Sequence, residues 1–370
     1  MADQLYFSRD TKIYIEIGSA IWEVPVLDGF SFSQATNSSE VTLSEMSGTG
    51  GSSRRGRRMF NDSFAPAEWS FSTYMRPFTS TGTGSGAAST VDGDHHAVEE
   101  VLWGLFAGPA HYQGQEFKDE AGGTAYISHS GTSADIDFGQ SNKSTLGTAN
   151  IYFAMGGAND TKTVYKISDC VVNEMAADFD IDGIATINWS GLGKIITEAT
   201  APTATVTEAI TSTGNFIRNR LTSLTATSTG TGNFESAYDL VLTGGNVTIS
   251  NNITFLTPET LGVVNQPLGH VTGTRSVSGS FTCYLNAETG SSADLFEDII
   301  ESTDTITNDF GLLFKIGGGA TPRIELNMAQ CHLEVPTHSI DDVISLETNF
   351  HALPSSIDGT DELTIKYVGE

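Results

Sequence analysis

Two stretches of this chain align without a gap at a fixed separation of 161 residues. Cys170 to Leu192 (CVVNEMAADFDIDGIATINWSGL) lies over Cys331 to Leu353 (CHLEVPTHSIDDVISLETNFHAL). Cys170 meets Cys331, Val172 meets Leu333, Phe179 meets Ile340, Trp189 meets Phe350 and Leu192 meets Leu353. Upstream, Phe71–Met75 (FSTYM) lies over Phe281–Leu285 (FTCYL), and Val26–Phe30 (VLDGF) over Val241–Gly245 (VLTGG), in the same order. A period this long is too large for a solenoid unit, so it reads as tandem whole domains. Whatever one copy folds into, the other must fold into as well, and 370 residues are enough for two domains with a core each. The repeat places a first domain at 1–197 and a second at 214–370. Between them, 198–213 (EATAPTATVTEAITST) has no aromatic residue and reads as an extended linker, with Thr203–Thr207 open to pairing as an edge strand.

The pattern inside each copy is that of strands. Lys12–Ile17, Phe30–Ser33, Trp69–Tyr74, Thr186–Trp189, Val247–Ser250, Ser278–Tyr284 and Glu325–Met328 alternate apolar with polar residues and are rich in β-branched and aromatic types. Each copy has one helix candidate. In the first, Val98, Val101, Leu102 and Leu105 recur at helical spacing after an acidic, His-rich start; in the second, Leu295, Phe296, Ile299 and Ile300 do so after Ser291, Ser292 and Asp294. The expected fold is mainly β: two tandem antiparallel β-sandwich or barrel domains, each with one short α-helix against one side.

Charge narrows the function. The formal net charge is −27, with 12 Lys+Arg against 24 Asp+Glu in 1–197 and 6 against 19 in 214–370. Neutralising phosphates requires Lys and Arg, so neither copy reads as a general nucleic-acid binder. No run approaches 18 apolar residues, so no membrane-spanning helix is expected. The start, MADQLYFSRDTK, lacks the apolar core of a secretory signal, and three Cys without a CxxC fit synthesis in a reducing cytoplasm. One local signal runs against the acidity. Arg54, Arg55, Arg57 and Arg58 form RRGRR after the Gly/Ser-rich Ser47–Ser53. The cluster reads first as an element that docks on an acidic surface of a neighbouring copy, then as a solvated loop turn, and last as a nucleic-acid contact.

The run from Trp22 to Phe106 resembles the tail tube proteins of long-tailed bacteriophages, through WEVPVLDGFSFSQATNSSEVTLSEMSG, SRRGRRMFNDSFAPAEWSFSTYMRPF and HHAVEEVLWGLF. Phe216–Ser223 (FIRNRLTS), which opens the second copy, is similar to the same family. The resemblance implies a structural virion protein, synthesised in the host cytoplasm, whose domains form six-membered rings stacked around a lumen that passes DNA without binding it. With two domains per chain it implies a ring of three chains, and as partners the tape measure, terminator and baseplate proteins and a sheath where the tail has one. No enzyme activity, cofactor or metal is implied. In that setting Asp178, Asp180 and Asp182 put three carboxylates on one strand face, and Asp341 and Asp342 stand at the matching place in the second copy; all five are candidates for an acidic lumen or surface.

Chemical motifs are weak. His95 and His96 with Asp92, Asp94, Glu99 and Glu100 match no HExxH spacing and read as a polar first helical turn rather than a metal cluster. The Asp178–Asp182 series lacks the further oxygens and terminal Glu of an EF-hand. There is no GxSxG, and Gly82, Gly84 and Gly86 have no following Lys. Two other classes compete: a secreted or surface-layer β protein, disfavoured by the missing signal, and a carbohydrate-active enzyme, which would cluster aromatics with paired carboxylates. Trp22, Trp69, Trp103 and Trp189 instead fall at separate, core-like positions.

Overall fold

The computed structural model describes residues 5–42, 57–82, 93–139, 146–157, 162–203, 215–228, 235–261, 263–301, 310–340 and 342–369. The first half runs β1 (Tyr6–Ile17), β2 (Ala20–Val24), β3 (Ser31–Ser33), β4 (Thr36–Thr42), β5 (Arg57–Phe64), β6 (Ala67–Tyr74), β7 (Pro77–Thr79), β8 (His95–Ala97), helix α1 (Glu100–Ala107), β9 (His111–Gln113), β10 (Glu116–Lys118), β11 (Ile127–His129), β12 (Ser133–Ile136), β13 (Ala149–Gly157), β14 (Lys162–Asp180), β15 (Thr186–Gly193) and β16 (Ile196–Ala199). The second half opens with a 3₁₀ turn (Asn219–Leu221). It continues through β17 (Ser223–Ser228), β18 (Ala237–Leu240), β19 (Leu242–Ser250), β20 (Thr254–Leu256), β21 (Gly269–Val271), β22 (Ser276–Tyr284), helix α2 (Ser292–Glu301), β23 (Phe310–Ile316), β24 (Arg323–Leu333), β25 (Thr337–Ile340), β26 (Ile344–Ala352) and β27 (Thr364–Val368). The protein is mainly β and antiparallel. Glu198 and Ala199 belong to β16, which pairs with β14; 204–213 lie outside the described residues.

The pairing order is the same in both halves. The first reads β2–β1–β13–β14–β15–β6–β3 and the second β18–β17–β23–β24–β26–β22–β19. One irregularity recurs at the offset of 161. Ala149 faces Cys170 and, past a bulge, Ile151 faces Ile167; Phe310 faces Cys331 and, past a bulge, Leu312 faces Met328. A bulge adds a residue to one strand and re-aims the side chains beyond it. Here it turns both cysteines fully inward, each with its sulfur towards the carbonyl three residues back, Ile167 and Met328.

Two ladders join the halves. Glu174–Asp180 of β14 pairs with Gly244–Ser250 of β19, and Ser133–Ile136 of β12 pairs with Ile365–Val368 of β27. One apolar core runs beneath both seams. Phe179 stacks on Phe314 across the halves at 5.7 Å, and Trp103 meets Trp189 edge-on at 4.8 Å. All four Trp are buried. Fully burying a large apolar side chain stabilises by about 1.5–3 kcal/mol, so the Phe179–Phe314 contact supports the joint while the Trp residues fill the core of the first half.

The helices differ in setting. α2 keeps two faces, with Leu295 buried and Ile300 half exposed. Every residue of α1 is buried: β14 packs against it, His129 of β11 meets Glu100, and Tyr367 of β27 meets Trp103. Trp103 donates its indole N–H to the Tyr367 hydroxyl (2.8 Å), which donates in turn to Glu99, tying α1 to the last strand.

Candidate functional site

The seam makes one polar face from both halves. Alternation sends Trp69, Phe71, Trp189, Met175, Ala177, Phe179, Val247, Ile249, Phe281 and Phe350 into the core. Their neighbours therefore point the other way. In register across the sheet these are Ser70 with Ser190, Ser190 with Glu174, Glu174 with Ser250, and Ser250 with Ser276. A second row runs Asp178, Asn246, Ser280 and Asn349. Glu68, Glu174, Asp178, Asp180 and Glu347 supply its charge, while β3, β6, β15, β19, β22, β25 and β26 contain no Lys or Arg at all. The face is hydroxyl- and amide-rich and spans both halves; the lysines of β14, Lys162 and Lys166, lie in that strand's other part, paired with β13 and β16, and Arg220 lines a pocket beside Asp180 at the edge of the face.

Of the acidic candidates, Asp178 and Asp180 are exposed on this face. Asp182 is exposed but is not on the strand. β14 ends at Asp180, whose Oδ1 accepts the N–H of Ile181 (2.7 Å), and Gly183 turns the chain with φ +120. The alternation expected through Asp182 stops there, and Ile181 faces solvent. Asp342 is exposed in the turn between β25 and β26; Asp341 lies outside the described residues. The neutral members of the face, which outnumber the acids, follow from the pairing and were not singled out from sequence.

Arg57 and Arg58 are not in a loop. They begin β5, which pairs with β4 in an arm whose residues 36–41 and 57–62 are all exposed. Arg57 Nη1 is 3.4 Å from Glu40 Oε1 across the arm, and both side chains are well exposed. Such a pair is worth about 0–1 kcal/mol, so it leaves Arg57 ready to change partner. Arg54 and Arg55 lie outside the described residues. The base of the arm meets the second half, where Phe64 donates its N–H to the Asn265 carbonyl (2.9 Å).

The residues read as a polar first helical turn are split between β8, which holds His95 and His96, and the start of α1. His95, His96, Glu99 and Glu100 are all buried. His96 Nδ1 is 2.8 Å from Glu100 Oε2, and His129 Nε2 is 3.1 Å from the same oxygen. The two imidazoles stack at 3.9 Å, and Phe78 also stacks on His96, at 5.4 Å. Burial alone would raise the Glu100 carboxyl, but His129 and His96 hold it down at about 2. Burial pushes Glu99 up to about 7 against the Tyr367 hydroxyl and the charge of Arg76. No motif links His129, 29 residues after Glu100, to this cluster; the β11–β12 hairpin brings it there.

An apolar core faced on one side by a polar, cation-poor stretch of sheet, with an exposed β arm, defines a β-rich structural subunit. A profile of the phage tail tube protein family matches residues 75–352. Over 374 aligned residues the chain is 31% identical to tail tube protein pb6 of Escherichia phage T5, covering 97% of this chain and 75% of that protein. The chain belongs to the phage tail tube protein family and is a structural component of the virion tail. Among the described residues no helix is long and apolar enough to cross a membrane.

Proposed function

We propose that the chain is two copies of one tube domain, that three chains close a ring of six such units, and that rings stack into a tube lined by the polar face described above. The observation that carries this is the β14–β19 seam, because it supplies a template for the contact between chains. At the offset of 161, Ala176 and Asp178 of β14 correspond to Thr337 and Ser339 of β25; at the offset of 215 set by Val26 and Val241, Thr248 and Asn246 of β19 correspond to Ser33 and Ser31 of β3. Within the chain Ala176 faces Thr248 and Asp178 faces Asn246. Repeating that contact pairs Thr337 with Ser33 and Ser339 with Ser31 of the next chain. Both strands have the free edge this needs. β25 pairs only with β26, and β3 only with β6, among the described residues. A free strand edge is a template for pairing with another chain.

The lining follows from the charge on that face. DNA carries one negative charge per roughly 1.7 Å of axis, and a basic wall would hold it at many phosphates. A wall of hydroxyls, amides and carboxylates offers no such hold. Its repulsion extends only about 8 Å in physiological salt, so DNA is kept off the wall without being stopped. Arg57 and Arg58 on the arm, with Arg54 and Arg55 just before them in the sequence, dock on the next ring and offset the mutual repulsion of acidic rings. Tape measure, terminator and baseplate proteins, and a sheath in a contractile tail, complete the assembly.

The test is Ser31→Cys with Ser339→Cys, treated with a short bis-maleimide after assembly. Paired residues on adjacent strands have Cα atoms about 4.5–5.5 Å apart. The native cysteines are buried and do not compete. Cross-linked dimers and trimers of the chain are expected, with nothing larger. Absence of cross-links in assembled tubes, or a true sixfold ring of twelve units by cryo-microscopy, overturns the arrangement.

A further inference from the structure

We propose that His96, Glu100 and His129 form a binding site for a single zinc-class divalent metal ion, buried beside the junction of the two halves. Two imidazole nitrogens and one carboxylate oxygen suit Zn²⁺ or Co²⁺, whereas Ca²⁺ and Mg²⁺ call for oxygen ligands throughout. The three ligand atoms lie within 4.8 Å of one another. In a tetrahedral site with bonds of about 2.0–2.1 Å, ligand atoms are about 3.3 Å apart. The 2.8 and 3.1 Å separations reach that spacing with shifts of a few tenths of an ångström.

Three observations favour an ion over a hydrogen-bonded cluster alone. His129 Nε2 is 3.1 Å from Glu100 Oε2 yet forms no hydrogen bond of good geometry, so it converges on the oxygen without a donor aimed at it. Glu100 Oε1 and the Tyr112 hydroxyl are both buried without a hydrogen-bond partner, and the Tyr112 hydroxyl feels the Glu100 charge. An unsatisfied buried carboxylate oxygen is costly. A cation chelated by both oxygens of Glu100 removes that cost, and a water can fill the remaining position. Asp94 and Glu116 add negative potential at His129, which favours a cation further.

The ligands come from β8, the first turn of α1 and the end of β11. They span the excursion that carries β12 to its pairing with β27. An ion there fixes the excursion and so stiffens the second seam. The proposal is independent of how chains assemble.

The experiment uses the full unassembled chain, stripped with chelator and titrated with Co²⁺, then Zn²⁺. Expected are visible absorption bands of four-coordinate Co²⁺ saturating at one ion per chain, their displacement by Zn²⁺, and a zinc-dependent rise in unfolding temperature. His129→Ala should weaken binding by at least about tenfold, since even outer-shell partners are commonly worth that much. His351→Ala, on the polar face, should not change it. If His129→Ala does not fold, the near-isosteric Glu100→Gln gives the same reading. Parent protein with no Co²⁺ bands and no zinc-dependent rise holds a hydrogen-bonded cluster only, and the proposal falls. It also falls if binding is the same in parent and ligand variants.

Discussion

Replacing Tyr367 by Phe should loosen the joint between α1 and the last strand, and the structure sets the size of the effect. The hydroxyl accepts the Trp103 N–H at 2.8 Å and donates to Glu99, and all three side chains are fully buried. The ring of Phe fills the same space, so packing changes little. Two buried polar groups lose their partner, at about 1–3 kcal/mol each, set against a smaller gain from no longer burying the hydroxyl. The net expectation is a loss of about 2–4 kcal/mol. Tyr238→Phe is the internal comparison. Its hydroxyl donates to Asp298 on α2, a carboxylate that solvent can reach, so water replaces the lost partner and the cost should be about 1 kcal/mol. The assay is urea unfolding of the unassembled chain followed by tryptophan emission, with midpoints compared at unchanged slope. Parent-like stability in Tyr367→Phe, within about 0.5 kcal/mol, would refute the reasoning, as would an equal loss in both variants.

Gly104→Ala should cost about 1–3 kcal/mol by overpacking, because a Cβ there would lie 2.4 Å from the Phe117 ring; Gly269→Ala, with open space around it, should be near neutral in the same assay. Burial raises the thiols of Cys170, Cys283 and Cys331, the latter two to about 11 and 12, so the native chain at pH 8 should release no chromophore from a disulfide reagent, and three equivalents after denaturation. Replacing Arg54, Arg55, Arg57 and Arg58 together by Ser should raise the protein concentration needed for tube formation and flatten its dependence on salt; assembly identical to the parent at every ionic strength would leave the arm a solvated element.

The strands were legible because alternation is a local signal. Trp69–Tyr74, Thr186–Trp189 and Ser278–Tyr284 each write inside and outside residues at period two, and each is a strand with that burial. What was not legible depends on contacts distant in sequence. The residues at the start of α1 read as a polar helical turn because helical dipole preference is local, while their burial comes with contacts to His129 of β11 and Tyr367 of β27. His129 and Tyr367 carry no periodic mark of their role. The sequence alternation extends through Asp182 because alternation does not announce its own end; Gly183 does so through a positive φ. Arg57 and Arg58 looked like a loop for the opposite reason. A strand exposed on both faces has no apolar alternation to read.

The two halves share a ladder order but differ in what they hang on it, and the difference bears on how a tube could be built. The first half carries the α1 excursion, whose β12 pairs with β27 of the same chain. In the proposed ring, the junction within a chain therefore has two ladders, β14–β19 and β12–β27, and a continuous core through Phe179 and Phe314. The junction between chains inherits only the β25–β3 contact from that template. A sheet edge is reversible where a shared core is not, since main-chain pairing exchanges hydrogen bonds with water at a net of only about 0.5–1.5 kcal/mol each. Joining two units in one chain thus makes three of six junctions permanent and leaves three to form on assembly. Growth of the tube is then governed by the weaker junction and by the contacts between rings. It is in those contacts that the basic arm, present on the first half and absent from the matching β20–β21 hairpin of the second, has the most to decide.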